Sequence, residues 1–110
     1  MARGDVVIIA DRAGGDYTGK PRPAVIVQSE HFESLKSVLI CPITSIEVPA
    51  NLLRLPLQVS ESLPLGKTSW VEIEKMSAVR RSRIGSRIGR LSDADLATLT
   101  QRLVILIGAA

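Results

Sequence analysis

Apolar residues in this chain come in short runs, and each run is bounded by glycine, proline or polar residues. The first, from Gly4 to Ala10, is unbroken, which indicates a strand buried on both faces. The runs at 23–27 and 37–43 predict two more strands, and strict alternation at 53–59 predicts a half-exposed one. A further strand is predicted at about 67–74. Because regular alternation of strands with helices is missing, the pattern argues against a doubly wound fold.

Helical spacing is clear only at the end of the chain. Ser92 is the expected N-cap, and leucines then recur every three or four residues until Gly108. The apolar end of this helix is expected to be buried against the sheet, with a partner subunit as a candidate for covering it further. A short helical turn is predicted at 29–35, and two Ser-Arg-Ile-Gly repeats at 82–89 predict tight turns or a short last strand. We therefore expect a mainly β fold with a C-terminal α-helix, arranged as a small curved sheet or barrel.

Length and composition limit the class of protein. The chain has 110 residues, of which 45% are apolar, so residues 1–110 are expected to form a single domain with its own core. No apolar run approaches the roughly 20 residues of a membrane span, and no secretory signal precedes the first strand, so a cytoplasmic location is expected. With one cysteine and one histidine, neither a disulfide nor a zinc site is expected, and Cys41 is interpreted as a core residue. The glycine spacings match no nucleotide-binding motif, so no cofactor is expected.

Positive charge is concentrated in one segment. The formal net charge is only +3, but the segment 75–90 holds six basic residues and no acidic one. A basic segment of this kind favours a polyanionic partner such as nucleic acid, because phosphate contacts release counterions. The alternative is a solvated, arginine-rich turn, and charge alone does not separate the two.

Four short motifs occur in order along the chain. They are Arg3-Gly4-Asp5-Val6-Val7, Gly19-Lys20-Pro21-Arg22-Pro23, Pro42-Ile43-Thr44-Ser45 and Arg87-Ile88-Gly89-Arg90-Leu91-Ser92. In this order and at this spacing they resemble the MazF/PemK family of toxin endoribonucleases, and the resemblance covers nearly the whole chain.

The resemblance implies a curved SH3-like β-barrel with a terminal helix, the fold of MazF, PemK and CcdB toxins. It further implies a homodimer that acts as the toxin of a type II toxin–antitoxin system. The implied activity is metal-independent cleavage of single-stranded RNA, chiefly mRNA, to 2′,3′-cyclic phosphate and 5′-hydroxyl ends, which inhibits translation and growth. The implied protein partner is a cognate antitoxin whose extended tail covers the RNA groove.

Two residues match the family's catalytic positions, Arg22 at the start of the second strand and Thr44 at the end of the third. Their chemistry suits the reaction, because negative charge builds on the phosphate oxygens when a ribose 2′-hydroxyl attacks. A guanidinium offers paired donors to those oxygens, and a hydroxyl offers one more. Without the resemblance, the simpler interpretations are a loop-fixing salt bridge for Arg22 and an ordinary turn hydroxyl for Thr44.

The general base is less clear. Some family members place an acidic residue in the first loop. The nearest residue in this chain is Asp16, and Tyr17 competes for the same position. Others place it at the end of the fifth predicted strand, where Glu74 matches. Such members have an arginine two residues earlier, and this chain has Glu72 instead. His31 matches no family role.

Four further residues are expected to contact RNA: Tyr17, Lys20, Ser45 and Arg81. Tyr17 and Trp70 are candidates for stacking on unpaired bases, although packing is the simpler role for Trp70.

Two other functions remain open at this point. One is a CcdB-like toxin that binds DNA gyrase through its terminal helix, and the other is a nucleic-acid-binding module without catalysis. The matches at Arg22 and Thr44 favour the ribonuclease.

Overall fold

A computed structural model describes residues 1–10, 21–49 and 51–109. Its seven strands are β1 (Asp5–Ile9), β2 (Arg22–Ile26), β3 (Ser37–Thr44), β4 (Arg54–Leu57), β5 (Ser69–Glu72), β6 (Ser77–Arg80) and β7 (Ile84–Arg90). One α-helix, α1 (Asp93–Leu106), ends the chain, and single 3-10 turns lie at Glu30–Phe32, Ile73–Lys75 and Arg81–Arg83. The predicted fold class, mainly β with a C-terminal helix, is confirmed.

The strands form one curled antiparallel sheet in the order β4-β5-β3-β2-β1-β7. Strand β3 is the centre of this arrangement because it changes partners along its length. Its first four residues pair with β6, and its last two, Ile43 and Thr44, pair with β5. Within the described residues, the outer strands β4 and β7 do not pair with each other. Because β3 pairs with different strands at its two ends, the sheet is curved and barrel-like rather than flat.

Each face of the sheet carries its own hydrophobic cluster. The larger contains Val6, Val25 and Cys41 and is covered by α1, and the smaller contains Val7 and Ala24. Val6 and Val7 are both fully buried, so the predicted burial of the first strand on both faces is confirmed. Burial, with a smaller contribution from the charge of Glu74, raises the pKa of the Cys41 thiol to about 12. Cys41 is thus a core residue and not a nucleophile, as predicted.

Helix α1 begins as predicted. The Ser92 hydroxyl accepts a hydrogen bond from the Asp95 N–H at 3.1 Å, and Leu99 is fully buried. The expected packing of the apolar end of the helix on the sheet holds for Leu103, which contacts the larger cluster, but is wrong for Ile105 and Ile107, which are 43% and 65% exposed. The sheet covers only one stripe of the helix, so residues on its opposite side stay in solvent.

Of the two predictions for the glycine-rich repeat at 82–89, the short last strand is confirmed, because residues 84–89 form most of strand β7. Its glycines allow close contacts between backbones. A Cβ on Gly89 would lie 2.6 Å from the Ser62 carbonyl oxygen, and one on Gly85 would lie 3.0 Å from that of Ile8. Two irregularities in the pairing of β7 with β1 accompany these contacts. The predicted strand at 67–74 is also shorter than expected, because it gives way to the 3-10 turn that precedes β6.

Candidate active site

Arg22 and Thr44 lie at the same end of two paired strands. Strand β2 begins at Arg22 and β3 ends at Thr44. The paired register of the two strands ends with Ala24 facing Pro42, and Arg22 and Thr44 each lie two residues beyond that pair, where both line one cleft. The fold therefore brings together the two residues that the sequence separates by more than twenty positions.

A cleft of about 290 Å³ opens at this end of the sheet. It is lined by Arg22, Thr44 and Ser45, with the apolar Pro23, Ile43 and Ile46 beside them. The loop before β5 closes the cleft with Leu65, Lys67 and Ser69. Arg22 is exposed, and among the described residues no acidic group pairs with it. A guanidinium in this setting is available to an incoming anion.

The hydroxyl of Thr44 has one fixed partner. Its oxygen accepts a hydrogen bond from the Ile46 N–H at 3.1 Å. This local contact orients the side chain and leaves the hydroxyl proton to be donated elsewhere. Thr44 is half-buried and Ser45 is exposed. The threonine is thus a positioned hydrogen-bond donor at the cleft.

Lys67 is a cleft residue that the sequence analysis missed. The hydroxyl of Ser69, which is buried, donates to the Lys67 carbonyl oxygen at 2.9 Å and so shapes the loop. Gly66, at φ +85°, makes the turn just before it. The sequence analysis placed residue 67 at the start of a strand, whereas it follows the Gly66 turn and belongs to the loop before β5. Among the described residues, the cleft is therefore lined by two cations, Arg22 and Lys67.

Glu74 does not line this cleft. It lies in the 3-10 turn after β5, where both its carboxylate oxygens accept from Arg54, with an Nη2–Oε2 distance of 2.5 Å. The hydrogen bonds and charge of Arg54 lower the pKa of Glu74 despite partial burial. It borders a separate depression with Leu52, Leu53 and Ile105. A carboxylate held in this way is a poorer proton acceptor. Because it also lies outside the cleft, the structure does not bring this predicted base to Arg22.

Three other predicted site residues, Asp16, Tyr17 and Lys20, lie outside the described residues. His31 is exposed on the 3-10 turn at Glu30–Phe32 and lines no part of the cleft. Trp70 faces Thr44 across the β3–β5 pair and is partly buried.

Most of the basic segment is held by internal contacts. Asp5 is 6% exposed and accepts from Arg87 Nε at 3.0 Å and from Arg90 Nη1 at 3.2 Å. Arg83 donates to the Ala10 carbonyl oxygen, and Lys75 pairs with Glu72. These contacts support a structural role for much of the segment, which is neither the expected nucleic-acid contact nor the alternative of a solvated turn.

The buried Asp5 is the anchor of these contacts. Burial raises its pKa, but the N–H of Ala2 and the guanidinium groups of Arg87 and Arg90 outweigh that effect, so the pKa lies below its ordinary value. Asp5 is therefore ionised at neutral pH and holds the start of β1 to β7. Arg81, by contrast, contacts another part of the surface, where its Nε donates to the Leu35 carbonyl oxygen at 3.0 Å.

Other kinds of site have little support in the described part of the chain. Residues 1–10, 21–49 and 51–109 contain no group of three or more His, Cys, Asp or Glu side chains that would hold a metal ion. In the same ranges, no helix is both long and apolar enough to span a membrane.

Several known proteins are similar to this chain. The model of the PemK-like, MazF-like toxin family of type II toxin–antitoxin systems matches residues 2–107. A probable endoribonuclease MazF of Mycolicibacterium smegmatis is 36% identical over 110 residues, which covers 100% of this chain and 99% of that protein.

Solved structures show the same fold. An endoribonuclease in complex with its cognate antitoxin, from a mycobacterial species, has a TM-score of 0.80 at 16% identity and covers 100% of this chain and 97% of its own. The Mycobacterium tuberculosis toxin MazF-mt6 has a TM-score of 0.77 at 20% identity, with 96% of this chain and 98% of that chain covered. The family match over almost the whole length, together with the fold, shows that this chain belongs to the PemK-like, MazF-like toxins of type II toxin–antitoxin systems.

Proposed function

We propose that this chain is the toxin of a type II toxin–antitoxin pair and cleaves single-stranded RNA, chiefly mRNA, without a metal ion. The observation that carries the proposal is the cleft in which Arg22 and Thr44 stand side by side, at the positions that match the family's catalytic pair. The M. smegmatis relative, named a probable endoribonuclease, supports the activity.

The reaction is attack by a ribose 2′-hydroxyl on the adjacent phosphate. A bond forms between the 2′-oxygen and phosphorus, and the bond from phosphorus to the 5′-oxygen breaks. The products are a 2′,3′-cyclic phosphate and a 5′-hydroxyl end, and the departing 5′-oxygen takes up a proton. Arg22 binds the non-bridging oxygens as their negative charge grows, because its planar donors match their geometry.

The other cleft residues position the phosphate. The hydroxyl of Thr44 is the additional donor to a phosphate oxygen, since its own oxygen is already engaged by Ile46. Ser45 and Lys67 extend the same wall and bind the neighbouring backbone. Lys20 and Tyr17, which precede Arg22 in the chain, complete the expected RNA contacts, with Tyr17 stacking on a base.

A proton acceptor is needed for the 2′-hydroxyl. Arginine is unsuited because it stays protonated, with a pKa above roughly 12. Glu74 is held by Arg54 outside the cleft. Of the two carboxylates that the sequence suggests, we therefore favour Asp16, which lies on the segment leading into Arg22.

The proposal includes assembly and location. Exposed apolar residues at the end of α1, Ile105 and Ile107 among them, favour a homodimer that buries them. A cognate antitoxin is the expected inhibitor, as in the mycobacterial complex of the same fold. Because the substrate is cellular RNA, the toxin acts in the cytoplasm.

The test is cleavage of single-stranded RNA by purified protein in the presence of EDTA. We expect 5′-hydroxyl and 2′,3′-cyclic phosphate ends in the products, identified by mass spectrometry. Thr44→Val keeps the shape of the side chain but removes its hydroxyl, and it is expected to slow cleavage about 100-fold. Thr98→Val is the matched control and is expected to cleave at the wild-type rate, because the half-buried Thr98 lies on α1 outside the cleft and its hydroxyl donates to the Ala94 carbonyl oxygen of the same helix.

RNA binding without cleavage by the wild-type protein would instead support the non-catalytic module. Cleavage that disappears with EDTA and returns with added magnesium would contradict the metal-independent reaction.

A further inference from the structure

A second cavity, of about 650 Å³, lies at the other end of β3 from the cleft. Two segments line it, the turn at 33–37 and the end of β6 with its following turn at 80–82. The backbone N–H of Arg81 donates to the Lys36 carbonyl oxygen at 2.7 Å, and Ser37 faces Arg80 in the β3–β6 pair. The walls are therefore held in place by backbone contacts between distant parts of the chain.

One buried donor in this cavity has no partner. The Nη2 atom of Arg81 is shielded from solvent and makes no hydrogen bond to the described residues, although its Nε donates to the Leu35 carbonyl oxygen. A charged donor that is buried and unsatisfied destabilises the folded state. The Arg81 guanidinium thus has a donor that no described residue uses, although that atom is not itself exposed to the cavity.

The charges around this donor are almost all positive. Lys36, Arg80 and Arg81 contribute three cations, whereas Glu33 is the one acidic residue in the lining. The Glu33 carboxylate is engaged by the N-terminal amino group of Met1 at 3.2 Å. Serine hydroxyls at positions 34, 37 and 82 add three neutral donors.

We propose that this cavity is a second phosphate-binding site. It binds the backbone of the RNA strand at a point distant from the catalytic cleft. The set of guanidinium, ammonium and hydroxyl donors suits the several oxygens of a phosphate better than the two of a carboxylate. This assignment depends on the proposed ribonuclease function, since that function supplies the strand.

The position of the cavity implies a minimum length of RNA. Strand β3 has eight residues, with Ser37 at the cavity and Thr44 at the cleft. At about 3.3 Å per residue, the two sites are roughly 20 Å apart. A strand that occupies both must therefore span several nucleotides, and a short oligonucleotide reaches only one of them.

The experiment measures binding of 2′-O-methyl RNA, which cannot be cleaved, as a long and a short oligonucleotide at several salt concentrations. The double variant Lys36→Gln/Arg80→Gln is expected to bind the long strand roughly tenfold more weakly, with a salt slope reduced by about 0.7 for each lost phosphate contact. Its affinity for the short strand and its rate of cleavage of a short substrate are expected to be unchanged.

Lys75→Gln/Arg102→Gln removes the same charge elsewhere and is the control, with wild-type affinity and salt slope expected. Arg81→Lys keeps the charge but loses the guanidinium donors, and a weaker affinity for the long strand is expected from it. If the double variant binds the long strand as the wild type does, the proposal is wrong. If the double variant loses affinity for a polyglutamate peptide but not for the long RNA strand, the site binds acidic protein segments, and the phosphate assignment is again wrong.

The outcome is separable from the main proposal. A wild-type protein that neither binds nor cuts RNA would remove the ribonuclease function itself. A wild type that cuts RNA, beside a double variant that is indistinguishable from it, would remove only the second site.

Discussion

Two regions depend on arginine: the cleft at Arg22, and the cluster that Asp5 forms with Arg87 and Arg90. The arginines of the two regions have opposite environments. In the cluster, Arg87 and Arg90 donate to a buried carboxylate. In the cleft, Arg22 is exposed and has no acidic partner among the described residues. An arginine whose donors are already used by a buried acid stabilises the fold, whereas one whose donors face solvent can bind a substrate. The role of each arginine follows from its partners and not from its charge.

The largest expected effect is on RNA cleavage, and it comes from replacing the exposed arginine of the cleft with glutamine. Arg22→Gln is expected to reduce RNA cleavage about 1,000-fold, because it removes the charge that we propose stabilises the transition state. Its free energy of unfolding should stay within about 0.5 kcal/mol of the wild type, since no described ion pair is removed. Cleavage assays and urea unfolding measure the two quantities.

Arg87→Gln is the matched control and should behave in the opposite way. Its side chain is 54% exposed, so the lost ion pair should lower the free energy of unfolding by less than about 1 kcal/mol. Cleavage should be close to that of the wild type. Loss of cleavage in both variants at equal stability would break the distinction between the two regions.

Removing the charge at the centre of the cluster tests its structural role. Asp5→Asn should lower the free energy of unfolding by roughly 2 kcal/mol, because hydrogen bonds to a charged, buried acceptor are weakened. Chemical denaturation of the wild type and the variant measures the difference. A variant as stable as the wild type would show that the two arginines are adequately solvated without Asp5.

The same carboxylate predicts how stability depends on pH. The pKa of Asp5 in the folded protein is below its unfolded value of about 3.9. The stabilisation is therefore fully present above about pH 4 and is lost as pH falls through the lower, folded pKa. Urea unfolding at a series of acidic pH values should show a decline that is smaller in Asp5→Asn. An identical decline in both proteins would assign the acid sensitivity to other carboxylates.

The smallest effect is expected at Glu74, which tests whether the cleft excludes it. Glu74→Gln removes the charge that faces Arg54, a partly exposed pair, and should cost about 0.5 kcal/mol of stability. If Asp16 is the base, cleavage should change by less than about threefold, with Asp16→Asn as the comparison variant. A large loss of cleavage in Glu74→Gln alone would make Glu74 the base after all.

Much of the fold was predictable because its signals are local. Continuous apolar runs predicted the first three strands, alternation predicted β4, and the serine cap with its leucine repeat predicted α1. Strand β6 was missed because a single 3-10 turn at Ile73–Lys75 separates it from β5, and a one-turn break leaves little trace in hydrophobic periodicity. The glycines of β7 left turns and a short strand both open, because their role, close approach to another backbone, depends on residues distant in sequence.

The site was predictable only in part. Arg22 and Thr44 were identified by their motifs, and the strand register then put them side by side. Lys67 was missed because it enters the cleft from a loop whose path depends on the Ser69 hydrogen bond. Glu74 was suggested by its position at the end of a strand, but its bond to Arg54, twenty residues earlier, directs it elsewhere.

The sequence by itself determined the strand and helix pattern, the single buried cysteine and the membership suggested by four ordered motifs. These depend on neighbouring residues, whose periodicity and capping act within a few positions of the chain. Only the tertiary structure decided which cations are paired and which face a cavity. Those partners come from far along the chain, as with Arg90 and Asp5, 85 residues apart. Electrostatic pairing depends on distance in space, which folding alone sets.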